Sequence, residues 1–121
     1  MDAAGLLELF APIGPIHLKR MFSGHAVFAG DLCFALALRG EVYMKVDAET
    51  RDVFAAVGSR PFTYEKAGRE VRVAYWLLPA EAFDDFDELR RWSDLALAAA
   101  RRAAERKGAG KGKHRKGVRV S

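Results

Sequence analysis

The chain has 121 residues, half of them hydrophobic and 30% charged, which supports one folded domain and excludes wholesale disorder. No stretch reaches the roughly 18 uninterrupted apolar residues of a membrane helix, and Met1-Asp2-Ala3-Ala4 lacks the basic segment of a secretory signal, so a cytoplasmic protein with no membrane partner is expected. The net charge of +4 is unevenly spread: residues 1–100 carry 11 Lys/Arg against 15 Asp/Glu, residues 101–121 carry 9 against 1, so the basicity belongs to the C-terminal stretch.

Leu6, Leu7, Leu9, Phe10 and Ile13 crowd together before Pro15, and Asp2 is placed to cap them, which predicts a short amphipathic helix over residues 3–12. A connector from His17 to Arg20 leads to a strand through Met21–Ala29, closed by the tight-turn pair Gly30-Asp31. The apolar run Leu32–Leu38 and the segment Val42–Val46, separated by Arg39-Gly40-Glu41, predict two further antiparallel strands. Asp47, an acidic first turn, apolar residues at 53, 54 and 57 and the terminal Gly58 punctuate a second helix. Two more strands, Pro61–Tyr64 and Val71–Leu77, flank the turn signal Lys66-Ala67-Gly68-Arg69.

From Pro79 the period changes. Ala82, Phe83, Phe86, Leu89, Trp92, Leu95, Ala96 and Ala99 recur at three- and four-residue steps, which predicts a long helix to about residue 105. The resulting order is α-β-β-β-α-β-β-α: a two-layer α+β sandwich with a five-stranded antiparallel sheet covered on one face by helices. Domain 1–105 would then be followed by a disordered tail over 106–121, rich in Gly and like charges and with little to bury.

The strings Arg20-Met21-Phe22-Ser23-Gly24, Tyr43-Met44-Lys45-Val46-Asp47 and Pro61-Phe62-Thr63-Tyr64, with Tyr75-Trp76 leading to Pro79, together resemble the N-terminal domain of the TfoX/Sxy competence-regulator family over about residues 6–100. The resemblance implies the same α+β fold and a link, through transcriptional activation, to regulation of DNA uptake. It implies no catalytic residues; Arg20, Met21, Phe22, Gly24, Tyr43, Lys45, Asp47, Pro61, Phe62 and Tyr64 would be structural. The family commonly carries Gly-Gly-x-Gly after Met-Phe. Here Ser23 and Ala26 occupy two of those places, leaving Gly24 as the position free to adopt positive φ. Full-length regulators also carry a second, helical domain, where this sequence continues into its basic tail.

The chemistry-bearing residues are sparse. His17, His25 and His114 form no metal-ligand spacing, and the Ser23-Gly24 turn lacks the spacing of a phosphate loop. Cys33, the one cysteine, lies in a predicted strand and reads as a small buried hydrophobe. Asp84, Asp85, Asp87 and Glu88 complement the dipole of the last helix. No catalytic site, metal or cofactor is expected. Tyr43, Tyr64, Tyr75 and Trp76 with Lys45, Lys66 and Arg72 suggest an aromatic and basic sheet face, although the acidic balance of residues 1–100 weighs toward packing and self-association there. Arg106, Lys107, Lys111, Lys113, Arg115, Lys116 and Arg119 are candidates for sequence-independent contact with nucleic acid phosphates. The reading is a non-catalytic regulatory or protein-interaction domain whose partner the sequence leaves unnamed, with homodimerisation through the sheet face or edge as one option. Its alternative is a nucleic-acid accessory factor acting through the tail.

Overall fold

The computed structural model describes residues 1–21 and 23–112, with side chains placed through Lys107. Phe22, Lys113, Arg115, Lys116 and Arg119 lie outside the described residues, as does the Lys111 side chain. The chain runs α1 (Ala3–Phe10), β1 (His17–Met21), β2 (Gly24–Ala29), β3 (Leu32–Leu38), β4 (Glu41–Lys45), α2 (Arg51–Ala56), β5 (Pro61–Lys66), β6 (Arg69–Leu77) and α3 (Phe86–Gly112). All neighbouring strands are antiparallel, in the order β1-β2-β3-β4-β6-β5.

The sheet has six strands, not five. The extra strand is β1: residues 17–20, expected as connector, pair with Phe28 to His25 across a tight reversal. α2 carries the chain from β4 past its neighbour, so that β6, not β5, pairs with β4. α3 extends to Gly112, seven residues beyond the boundary expected from the apolar stripe, although its buried positions end at Ala100.

Local chemistry explains where the helices begin. The Asp2 carboxylate accepts the Gly5 N–H at 2.9 Å, and the Asp85 carboxylate accepts those of Asp87 and Glu88 at 2.9 and 3.2 Å, satisfying donors that a first helical turn leaves unpaired. Leu6 and Phe10, one turn apart, present a single buried stripe.

All three helices pack on one face of the sheet. Leu6, Phe10, Phe54, Leu89, Trp92 and Ala96 close over Val27, Phe34, Ala35, Val42 and Met44. Phe10 meets Phe34 edge-on at 5.3 Å, and Phe54 leans on Trp92 at 4.6 Å. Each of these fully buried side chains contributes about 2–3 kcal/mol of transfer free energy. A bulge between Val27 and Phe28 leaves Phe34 without a directly opposed partner, because Val27 faces Ala35 and Phe28 faces Cys33. Consecutive Phe34 and Ala35 therefore both enter the helix-side core, and alternation resumes with Leu36 on the other side. This is why β3 reads as an unbroken apolar run.

Gly24 is required for a different reason from the expected one. Its φ lies outside the left-handed region, but a Cβ there would sit 1.8 Å from the Ala37 carbonyl oxygen. The position admits no side chain because two backbones touch.

Candidate functional site

The face of the sheet away from the helices bears a second apolar layer: Ala26, Leu36, Leu38, Tyr43 and Phe62 are buried, with Met21, Phe28, Cys33, Val73, Tyr75 and Leu77 packed around them. No helix among the described residues covers it. At one end, where β3, β5 and β6 present Leu36, Leu38, Phe62 and Val73, the layer sinks into a trough of about 580 Å³, walled by Tyr64 and Tyr75 and rimmed by Arg39 and Lys66.

Strand register determines which polar groups share this face. Tyr43 opposes Leu77, Lys45 opposes Tyr75, Lys19 opposes Ala26, and Tyr64 and Lys66 alternate with Thr63 and Glu65. Three cations lie against the aromatic rings: Lys19 at 5.9 Å from the Phe28 centroid, Arg39 at 5.0 Å from Phe62 and Lys45 at 5.1 Å from Tyr75. Such pairs keep positive charge beside half-buried apolar surface. Glu41 also falls on this face, within 3.9 Å of Arg60. Most carboxylates instead ride on the helical side, among them Glu8, Asp52, Asp87, Glu88 and Asp94.

The acidic balance of residues 1–100 thus hides the scarcity of carboxylates on the open face, which is basic and aromatic. Of the residues expected to build such a face, the structure brings together Tyr43, Tyr64, Tyr75, Lys45 and Lys66. It excludes two. Trp76 packs against the helix-side core, and Arg72 opposes Thr63 on that same side, because each is one residue out of phase with Tyr75 and Val73.

Arg39 was not expected. It occupies the first central position of the two-residue turn joining β3 to β4, with φ 54°, followed by Gly40 at 78°. That geometry favours Asn-Gly, so an arginine in front of a glycine there is the signal the sequence offered. Its guanidinium donates to the Thr63 carbonyl at 3.2 Å.

The Tyr75 hydroxyl donates to the Cys33 sulfur at 3.5 Å. Burial first, and the adjoining sulfur second, push the phenol well above its usual range, so it stays neutral. Among the described residues no three His, Cys, Asp or Glu side chains gather as a metal site, and no helix is long and apolar enough to cross a membrane.

Asp47 belongs to the scaffold. Its carboxylate accepts the N–H groups of Glu49 and Thr50 at 3.0 and 3.2 Å, ordering the turn before α2, and takes a two-pronged contact from Arg102 on α3 at 2.6 and 3.1 Å. The Arg102 hydrogen bond, against an opposing effect of burial, holds the carboxyl down at about 2. Arg20 and Met21 lie on β1, and Pro61 opens the edge strand β5, where a missing N–H is tolerated. Arg106 and Lys107 are exposed near the last described side chains of α3.

The pattern that defines the TfoX N-terminal domain matches residues 8–100. The chain belongs to that family. Protein Sxy of Escherichia coli (strain K12) is 26% identical over 93 residues, a stretch covering 77% of this chain and 44% of Sxy. The match therefore covers less than half the length of that relative. The matched TfoX N-terminal domain runs from within α1 to the last buried residue of α3 and contains the whole sheet, the trough and the open basic face.

Proposed function

We propose that this TfoX N-terminal domain is a non-catalytic regulatory module that acts by binding a protein partner through its open sheet face. The observation that carries this reading is the uncovered aromatic layer bearing Lys19, Arg39, Lys45 and Lys66, on a domain whose carboxylates lie mostly on the opposite layer. An apolar hollow with a charged rim is the anatomy of a recognition surface. Like charges would face each other if two copies packed sheet to sheet, so an acidic partner suits this face better than a second copy. The relation to Sxy supports a role in regulating competence. Capture experiments with the wild type, the double variant Lys45→Glu/Lys66→Glu and the helix-side control Arg91→Glu test the reading. Loss of a specific partner in the double variant alone is expected; equal capture by all three rejects it.

A second reading is favoured by one observation, the excess of nine Lys/Arg over a single Glu in residues 101–121. Here the C-terminal stretch binds nucleic acid without sequence preference, and affinity falls steeply with salt as phosphate counterions are released. Fluorescence anisotropy of labelled DNA and RNA, with the full chain and one ending at Lys107, decides it. Salt-sensitive binding confined to the full chain supports this reading, and no binding by either form removes it.

A further inference from the structure

We infer that the trough at the end of the open face binds a small amphipathic anion, an aliphatic body ending in a carboxylate. The inference rests on the open face being a binding surface and specifies a ligand for one end of it. At about 580 Å³ the trough falls within the range of small-molecule sites, about 300–1,000 Å³, and its make-up matches theirs: apolar side chains with a few polar groups set at the edge. Leu36, Leu38, Phe62 and Val73 offer a surface for hydrocarbon, with Ser23, Tyr64 and Tyr75 as the uncharged polar side chains of the lining. The charged lining residues are Arg39 and Lys66, with no carboxylate between them. Glu65 and Glu70 adjoin Arg39 in a separate depression and lie outside the trough.

Arg39 is held ready for an anion. Its guanidinium rests on the Phe62 ring and spends a hydrogen bond on Thr63, which fixes the plane of the group while leaving most of its five N–H donors for a ligand. Neither Arg39 nor Lys66 pairs with a carboxylate among the described residues. The turn would be better served by asparagine at position 39, so arginine there opposes local backbone preference while supplying the rim with a fork-shaped donor suited to carboxylate.

The same conflict gives the test a clean variant. Arg39→Asn suits the turn, so the fold is retained while the cation is removed. Backbone amide NMR of the full chain is followed during titration with sodium dodecanoate below its micelle-forming concentration, with dodecanol and dodecyltrimethylammonium as neutral and cationic comparisons. Saturable shifts at Leu36, Leu38 and Val73 with dodecanoate are expected, with binding weakened on the order of tenfold in Arg39→Asn, as loss of a charged hydrogen bond implies. Val73→Trp, which fills the trough, should abolish the shifts. Equal affinity for all three probes, or undiminished affinity in Arg39→Asn, overturns the anion. Absence of saturable shifts overturns the small-ligand site altogether while leaving the protein-partner reading to its own capture experiment.

Discussion

Gly24, Asp47 and Ser93 show how single atoms set the limits of this fold. A methyl group on Gly24 would drive into the Ala37 carbonyl, and neither backbone can retreat without breaking the β2–β3 ladder. Gly24→Ala should therefore lose about 3 kcal/mol or more in denaturant unfolding; a loss under about 0.5 kcal/mol would show that the strands separate freely there. Asp47→Ala removes a turn cap and should lose about 1–2 kcal/mol. Because the Asp47 carboxyl is lowered from 3.8 to about 2, its ionised form stabilises the fold fully above about pH 4, and that contribution disappears as the pH falls through 2. Asp47→Asn should flatten the stability profile between those values, and an unchanged slope would detach Asp47 from the acid transition. Ser93 is fully buried, and its hydroxyl has no hydrogen-bond partner among the described residues. Ser93→Ala should thus stabilise by about 1 kcal/mol, and a marked loss of stability would reveal a partner for the hydroxyl.

At the scale of elements, α3 is the strut that joins the layers. It buries Leu89, Trp92, Ala96 and Ala100 against the sheet, and two residues further on Arg102 reaches back to Asp47 and Glu49. A chain ending at Lys107 should melt several degrees above one ending at Arg101, which lacks the clamp; equal melting temperatures would make the ion pair ornamental. The elements most legible in the sequence were those with two independent signals. α1 had both an apolar stripe and Asp2, and the β2–β3 and β5–β6 hairpins had apolar, β-prone runs together with Gly-containing turns. β1 escaped because it is an edge strand with a polar outer side, and Leu18 alone marks it as packed inward within His17-Leu18-Lys19-Arg20. The pairing of β4 with β6 within the sheet was likewise hidden, since a crossing connection leaves no local mark.

Across the whole molecule, most carboxylates lie on the helical layer, beside the arginines of α2 and α3, whereas the open sheet face carries Lys19, Arg39, Lys45 and Lys66 against Glu41. A linear count of residues 1–100 averages the two away, which is why the basic face was underestimated even though Tyr43, Lys45, Tyr64, Lys66 and Tyr75 were each recognised. Arg39 was missed because its importance arises from a turn that carries it over Phe62, a residue 23 positions further along the chain. Sequence alternation determines side, but only the order of strands brings distant side chains to one rim. The proposed recognition surface is this open face. Tyr64 and Phe86 are both exposed aromatics, one on the open face and one at the start of α3. Replacing each in turn with the photocrosslinker benzoylphenylalanine and irradiating living cells that make the protein compares the two sides directly. Discrete protein adducts from position 64 and none from position 86 are predicted; adducts from position 86 alone would contradict the claim.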